Sequence, residues 1–233
     1  MKDNMKKALL NSYKLRKKAE EVQMEKGTVD VGLRSQVTSG KHMDEIALLV
    51  SQDLIQMGVD EDEIHCKKKD VEIPGWFRAT KQWDILAFKD GQLITGIELK
   101  SISGSYGNNL NNRVEEAIGE AIDAKYASDR GLLNRVTPPL MAYALIVKKD
   151  SESSSKCKKP TSHYFDIDPV FEDTSYLDRF RIMCERLRRE SIYGAVWFAI
   201  VDPEKGTVEE PVKELSYETF LAEIRGRVEA FCH

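Results

Sequence analysis

Asp84 stands near the start of one apolar run, Trp83 to Phe88, and Glu98 and Lys100 close the next, Leu93 to Lys100. Side chains on a strand alternate faces, so Glu98 and Lys100 point one way and Leu99 the other. Two carboxylates converging on one point suit a hard divalent cation. Mg²⁺ takes oxygen ligands and commonly only one or two protein carboxylates, leaving positions for water and phosphate. A lysine beside them can orient or deprotonate an attacking water, or steady the charge that builds at phosphorus. The acid-x-lysine string alone is a weak sign. It recurs at Asp123-Ala124-Lys125, in a helical pattern with no partner acid on a paired strand. An ordinary exposed strand face with a cross-strand ion pair would use the same residue types. What favours chemistry is the setting: Trp83, Ile85, Ile97 and Leu99 flank the two acids, and unpaired charge among apolar groups is costly.

A second group follows at once. Gly107-Asn108-Asn109-Leu110-Asn111-Asn112-Arg113 puts four Asn in five residues. Asn can pair bidentately with adenine in the major groove and Arg with guanine, and helix N-termini suit phosphate. Asn is also a turn and cap residue, but capping needs fewer than four. Glu115, Glu116 and Glu120 come next. Ion pairing with Arg113 is the expectation for them, and a place near a metal the alternative. The histidines (His42, His65, His163, His233) are scattered, with no Cys or acid at zinc spacing, and read as structural.

The elements that must position these groups can be read from periodicity. Lys6 to Gln23 and His42 to Met57 are predicted helices, the second with an apolar face of Met43, Ile46, Ala47, Leu49, Val50, Leu54 and Met57. Trp83–Phe88 and Leu93–Lys100 form a hairpin around Asp90-Gly91. Residues 101–110 are predicted as a polar loop, and a helix runs from Asn112 to Tyr126. Met141–Val147 and Tyr193–Val201 are continuous apolar runs, as buried strands require. Ser175–Arg189 and a segment starting at the cap Ser216 complete the helices. Helices flanking a mixed central sheet in one α/β domain, residues 1–233, is the expected architecture. Residues 1–26 form an N-terminal helical arm and 148–163 a mobile loop.

Hairpin parity makes a sharp demand. An unbroken two-residue turn pairs Lys89 with Gln92 and hence Asp84 with Ile97, which turns Glu98 away from Asp84. The carboxylates share a face only if the turn is a bulged three-residue loop or a bulge lies near Gly96.

Composition excludes several classes. The 233 residues are 41% hydrophobic and 32% charged, too apolar for a disordered chain. No apolar stretch has the length of a membrane helix, and the N-terminus lacks a signal-peptide core. The 4 Cys show no paired spacing and read as free thiols in a reducing cytoplasm. The formal net charge is -4, so any nucleic-acid surface has to be local. Residues 1–26 hold eight Lys/Arg against four Asp/Glu. A solvated amphipathic helix is expected there, with a phosphate-contacting arm as the alternative.

Thr38-Ser39-Gly40-Lys41-His42-Met43-Asp44, Pro74 to Asp84, Ile97-Glu98-Leu99-Lys100-Ser101 and Gly107 to Gly119 resemble the XhoI-type restriction endonucleases. The likeness continues through Ser162-His163 and Ser175 to Phe180. It implies the PD-(D/E)XK nuclease fold and Mg²⁺-dependent cleavage of double-stranded DNA by a homodimer. The implied site is the palindrome CTCGAG, cut to leave 5′ overhangs, with a DNA methyltransferase as cellular companion. Carried over by motif, Asp84 and Glu98 are metal ligands with the carbonyl of Leu99, and Lys100 is the catalytic lysine. Trp83 replaces the superfamily's Pro, which contributes no ligand. Asp44 and Glu45 are candidates for an accessory acid. Lys41, Arg78 and Lys81 join Asn108, Asn109, Asn111, Asn112 and Arg113 as candidate DNA contacts. The alternatives are a structure-selective repair or recombination nuclease of the same fold and a catalytically silent DNA-binding module. The acid-acid-lysine set argues against the last.

Overall fold

The computed structural model describes residues 1–25, 43–66, 70–134 and 137–232. In chain order the elements are helices α1 (Asp3–Glu25) and α2 (Asp44–Gln56), then strands β1 (Ile64–Cys66), β2 (Glu72–Pro74), β3 (Thr80–Gln82), β4 (Ile85–Lys89) and β5 (Gln92–Ile102). Helix α3 (Tyr106–Asp129), strand β6 (Leu140–Lys148), the short helix α4 (Ser151–Ser154), helix α5 (Tyr176–Arg189), strands β7 (Ala195–Asp202) and β8 (Thr207–Glu209) and helix α6 (Tyr217–Cys232) follow.

Six strands form one sheet in the order β1-β4-β5-β6-β7-β8, and β2 and β3 form a separate hairpin. β5, β6 and β7 run parallel at the centre, and the outer pairings are antiparallel. β6 and β7 are buried along nearly their whole length, as the apolar runs require of central strands covered on both faces. Alternation divides the core in two. Ile97, Leu99, Ala144 and Trp197 pack with α1, α2 and α6 on one face. Leu86, Tyr143, Leu145 and Phe198 pack with α3 and α5 on the other. The expected mixed sheet between helical layers is therefore the observed fold.

Three local expectations need correction. α1 is no solvated arm, because Met5, Ala8 and Leu9 are essentially inaccessible. The Tyr13 hydroxyl also donates to the carbonyls of Ile102 and Ile146. A narrow i, i+3, i+4 stripe suffices to bury one edge of a helix that is otherwise charged. Residues 148–163 begin with the end of β6 and then α4. Asp150 and Ser153 close a capping box on α4, and Ser153 is fully buried. The polar run 101–110 is not all loop, since α3 starts at Tyr106, six residues ahead of Asn112. Tyr106 is fully buried and its hydroxyl donates to Asp150 Oδ2 at 2.7 Å, a tertiary anchor that overrides the turn preference of the Asn residues.

The β4–β5 hairpin meets the parity demand by its second route. Asp90 and Gly91, at φ 50° and 72°, make a regular two-residue turn, and Lys89 pairs with Gln92. The register then shifts: Phe88 pairs with Leu93 but Ala87 with Thr95, leaving Ile94 as the extra residue of a β-bulge. From there Leu86 pairs with Gly96 and Ile85 with Ile97. Carried one residue beyond the last pair, this register would set Asp84 opposite Glu98, where a three-residue turn would have made it a diagonal neighbour.

Candidate active site

The site forms where β4 and β5 part. The Trp83 N–H bonds the Val71 carbonyl, so the chain has turned toward the β2–β3 hairpin and Leu99 has no backbone partner there. The Asp84 side chain replaces it: Oδ2 accepts the Leu99 N–H at 2.7 Å. N–H and C=O of one strand residue leave on the same edge, so the Leu99 carbonyl also faces this gap. The same register, continued to Asp84, sets its carboxylate and that of Glu98 on the α3 side of the sheet. Lys100 follows two residues on.

Glu98 is buried at 4% exposure. Lys81 Nζ lies 2.9 Å from its Oε2, and Lys100 holds its Oε1. Lys81 also lies 3.3 Å from Glu120 Oε1 and 5.0 Å from the centre of the Trp83 ring. Beyond Lys100, Glu116 at 4.0 Å leads to Arg113 at 2.8 Å. Lys81 of β3, Lys100 of β5 and Arg113, Glu116 and Glu120 of α3 thus form one charged network with Glu98.

This packing moves the titrations. Burial, reinforced by the charge of Glu98, pushes Asp84 up to about 6, although the Leu99 N–H pulls the other way. Burial alone would lower Lys100, but Glu98 and Glu120 outweigh it and the ammonium is held above the ordinary lysine value. Glu120 is raised by burial and then by Glu98.

The other candidate residues fall into three groups. Asn108, Asn111 and Asn112 are exposed on the first turns of α3. The Asn109 side chain instead donates back to the carbonyls of Gly104 at 2.7 Å and Ser105 at 3.3 Å. Arg113 is half-buried on Glu116, and Arg78 pairs with Asp123 at 3.0 Å. Asp44 and Glu45 are exposed on α2, whose buried residues line the opposite face of the sheet from Glu98. They do not join Asp84 and Glu98. Lys41 lies outside the described residues. The further acid that meets Glu98, through Lys81, is Glu120, for which the sequence favoured a pairing with Arg113. Its signal was its place on the apolar stripe of α3 with Ala117, Ala121 and Ala124.

The donors fit a hard cation. Asp84, Glu98 and the Leu99 carbonyl all present oxygen atoms, and Glu120 Oε2 is a buried carboxylate oxygen with no hydrogen-bond partner, an arrangement that is costly unless something satisfies it. Among the described residues no three Asp, Glu, His or Cys side chains make a complete ligand set, and Mg²⁺ needs fewer. Both oxygens of Glu98 carry an ammonium, so a cation entering there exchanges with at least one of them.

A mixed sheet with two carboxylates and a lysine where its hairpin parts is the layout of the restriction-endonuclease-like nucleases. The family model described as restriction endonuclease XhoI matches residues 22–211, and the chain belongs to that family, an enzyme of the type II restriction endonuclease class. The type II restriction enzyme BstVI of Geobacillus stearothermophilus is 34% identical over 201 residues, covering 82% of this chain and 89% of that one. The type II restriction enzyme XhoI of Xanthomonas vasicola is 37% identical over 158 residues, covering 67% of this chain and 63% of its own. The type II restriction enzyme AbrI of Azospirillum brasilense is 37% identical over 150 residues, 64% of this chain and 67% of its own. No solved structure matches.

Proposed function

We propose that this endonuclease hydrolyses double-stranded DNA with Mg²⁺ at a palindrome, CTCGAG by family likeness, leaving 5′-phosphate and 3′-hydroxyl ends. The observation that carries the reading is the Asp84 carboxylate on the Leu99 N–H, with Glu98 and Lys100 on either side of that peptide and joined to each other. Asp84, Glu98 and the Leu99 carbonyl would hold the cation. When bound, it supplies a Lewis acid for the phosphate oxygens and a more acidic water. Lys100, kept protonated by its acidic neighbours, orients the attacking water and offsets charge developing on the phosphoryl oxygens. Water adds to phosphorus in line as the 3′-oxygen departs with a proton. Lys81 balances the charge of Glu98 and Glu120 at the edge of the site.

A two-fold palindrome is matched by a two-fold dimer, each subunit reading one half-site, so the working unit is a homodimer. Asn108, Asn111 and Asn112 offer adenine-type contacts and Arg113 a guanine-type contact. A methyltransferase protecting the same sequence is the companion this activity requires in a cell. No described helix is long and apolar enough to cross a membrane, in keeping with action on DNA in the cytoplasm. Plasmid digestion with Mg²⁺, followed by run-off sequencing of the ends, tests the reading. Discrete fragments with a common end sequence support it. Structure-dependent nicking points to a repair nuclease, and no cutting overturns it.

A further inference from the structure

The small β2–β3 hairpin has a feature the catalytic cluster does not use. Its tip, Gly75 to Ala79, is clamped to α3 by Asp123, a carboxylate only 2% exposed. Asp123 Oδ1 accepts the N–H groups of both Trp76 and Phe77 at 2.7 Å, and Oδ2 lies 3.0 Å from Arg78 Nε. A Cβ at Gly75 would sit 2.4 Å from Asp123 Oδ2 and 2.9 Å from the Arg78 carbonyl, so only glycine allows this approach. Burying a carboxylate to fix five loop residues is a large investment for a solvated turn.

The clamp presents aromatic surface to solvent. Phe77 is 69% exposed and Trp76 45%. The Arg130 guanidinium stacks over Trp76 at 4.0 Å and over Tyr126 at 4.7 Å, and Tyr126 meets the Phe77 ring at 5.4 Å. One face of Trp76 is thus already taken by a cation, and Phe77 is the ring left most open. The hairpin is rooted in the candidate active site, because Lys81 on β3 binds Glu98 and Glu120. Phe77 is four residues away, at most about 13 Å by strand rise, which is about four base steps of duplex DNA.

We propose that this hairpin tip, fixed by Asp123 and flanked by Arg78 and Arg130, enters a groove of the bound duplex and wedges Phe77 into a base step within about four steps of the bond to be cut. DNA is the occupant that fits. The tip is continuous with the site where a phosphodiester would lie, its rim carries two guanidinium groups, and apolar wedges between base steps are an established means of kinking a duplex. The inference rests on the nuclease reading above and deepens it, by naming a residue that deforms the DNA.

The test uses the full-length protein and duplexes with 2-aminopurine at successive positions of the cleavage site, with Ca²⁺ replacing Mg²⁺. Unstacking raises 2-aminopurine fluorescence. The wild type is expected to raise it at one step. Phe77→Ala is expected to abolish that rise and weaken binding on the order of 10- to 100-fold, and Phe77→Leu to keep part of it. Asp123→Asn, which retains the shape but not the charge, should reduce the signal. Phe77 is exposed, so its replacement leaves the core untouched. No unstacking by the wild type at any position, or wild-type affinity in Phe77→Ala, overturns the wedge. So does loss of self-association in Phe77→Ala with DNA affinity intact, which would make the tip a protein contact. A parallel Mg²⁺ digest separates the two readings. If the wild type cuts discretely and gives no unstacking, the wedge alone fails. If it cuts nothing, the active-site reading fails, and the wedge stands or falls on the fluorescence.

Discussion

Glu98 and Glu120 meet on one ammonium group: Lys81 Nζ lies 2.9 Å from the first and 3.3 Å from the second. A strand of the central sheet, a strand of the small hairpin and a helix meet there on one charged group. Lys81 is shared with Glu98, so Glu120, raised by burial and then by the charge of Glu98, is only partly neutralised. Removing the charge of Glu120 while keeping its shape should therefore stabilise the fold at pH 8 without divalent cations. Glu120→Gln is expected to raise the melting temperature and to slow cutting on the order of 10-fold, as for groups that support a metal ligand. An unchanged cutting rate would remove Glu120 from the site.

The three central residues should behave unlike their neighbours. Glu98→Ala and Lys100→Ala are each expected to reduce the cutting rate on the order of 100- to 1,000-fold while duplex binding in Ca²⁺ survives for Lys100→Ala. Single-turnover digestion measures the first effect and fluorescence anisotropy the second. Near wild-type cutting by Glu98→Ala would remove the metal site.

Asp84 couples the site to pH. Its value in the folded protein, about 6, exceeds the ordinary 3.8. The folded state therefore binds more protons than the unfolded state between those values. Ionising Asp84 costs stability as pH rises from about 4 to about 6, and the cost stays constant above that. At roughly 1.4 kcal/mol per unit it amounts to about 2–3 kcal/mol for this mostly buried group. In urea titrations without divalent cations, Asp84→Asn should gain on wild type as pH goes from 4 to 7.5. A gain independent of pH would contradict the assignment. In the same window protons compete with the cation, so wild-type Ca²⁺ affinity should fall as pH drops below about 6.

The Asn residues of α3 should separate by role. Asn109→Ala removes two bonds to the carbonyls ahead of the helix and is expected to cost about 0.5–1.5 kcal/mol of stability with base discrimination retained. Asn112→Ala, at an exposed position, is expected to leave the melting temperature alone and to lose discrimination at one base pair, roughly 1–3 kcal/mol. Competition binding with one-base-altered duplexes reads both. If the two variants exchange these behaviours, the faces of the helix have been misjudged.

Much of this site could be read from sequence because its signal is local. Alternation put Glu98 and Lys100 on one face, and parity alone required a bulge somewhere between Asp84 and Glu98. Parity could not say that the extra residue is Ile94, since that choice depends on how β5 packs beside β6. Glu120 and Asp123 were legible in principle, as acids on the apolar stripe of a helix. Their partners Lys81 and the Trp76–Phe77 amides lie about 40 and 47 residues away in sequence, and no local pattern links them. α1 was misjudged because its charge outweighs a narrow stripe of Met5, Ala8, Leu9 and Tyr13, whose burial is fixed by the sheet. Cys66, Cys157 and Cys184 are free thiols, as expected from their spacing.

The bond from Leu99 to Asp84 has a consequence apart from chemistry. A strand whose neighbour has peeled away exposes a bare peptide edge, and bare edges recruit other strands. Asp84 plugs that edge with its own side chain. Truncation to alanine would unplug it, so an Asp84→Ala preparation risks sticking to itself for reasons unrelated to lost turnover. Asn keeps an acceptor oxygen at the same place and seals the edge, which makes Asp84→Asn the sounder substitution for testing what the carboxylate itself does.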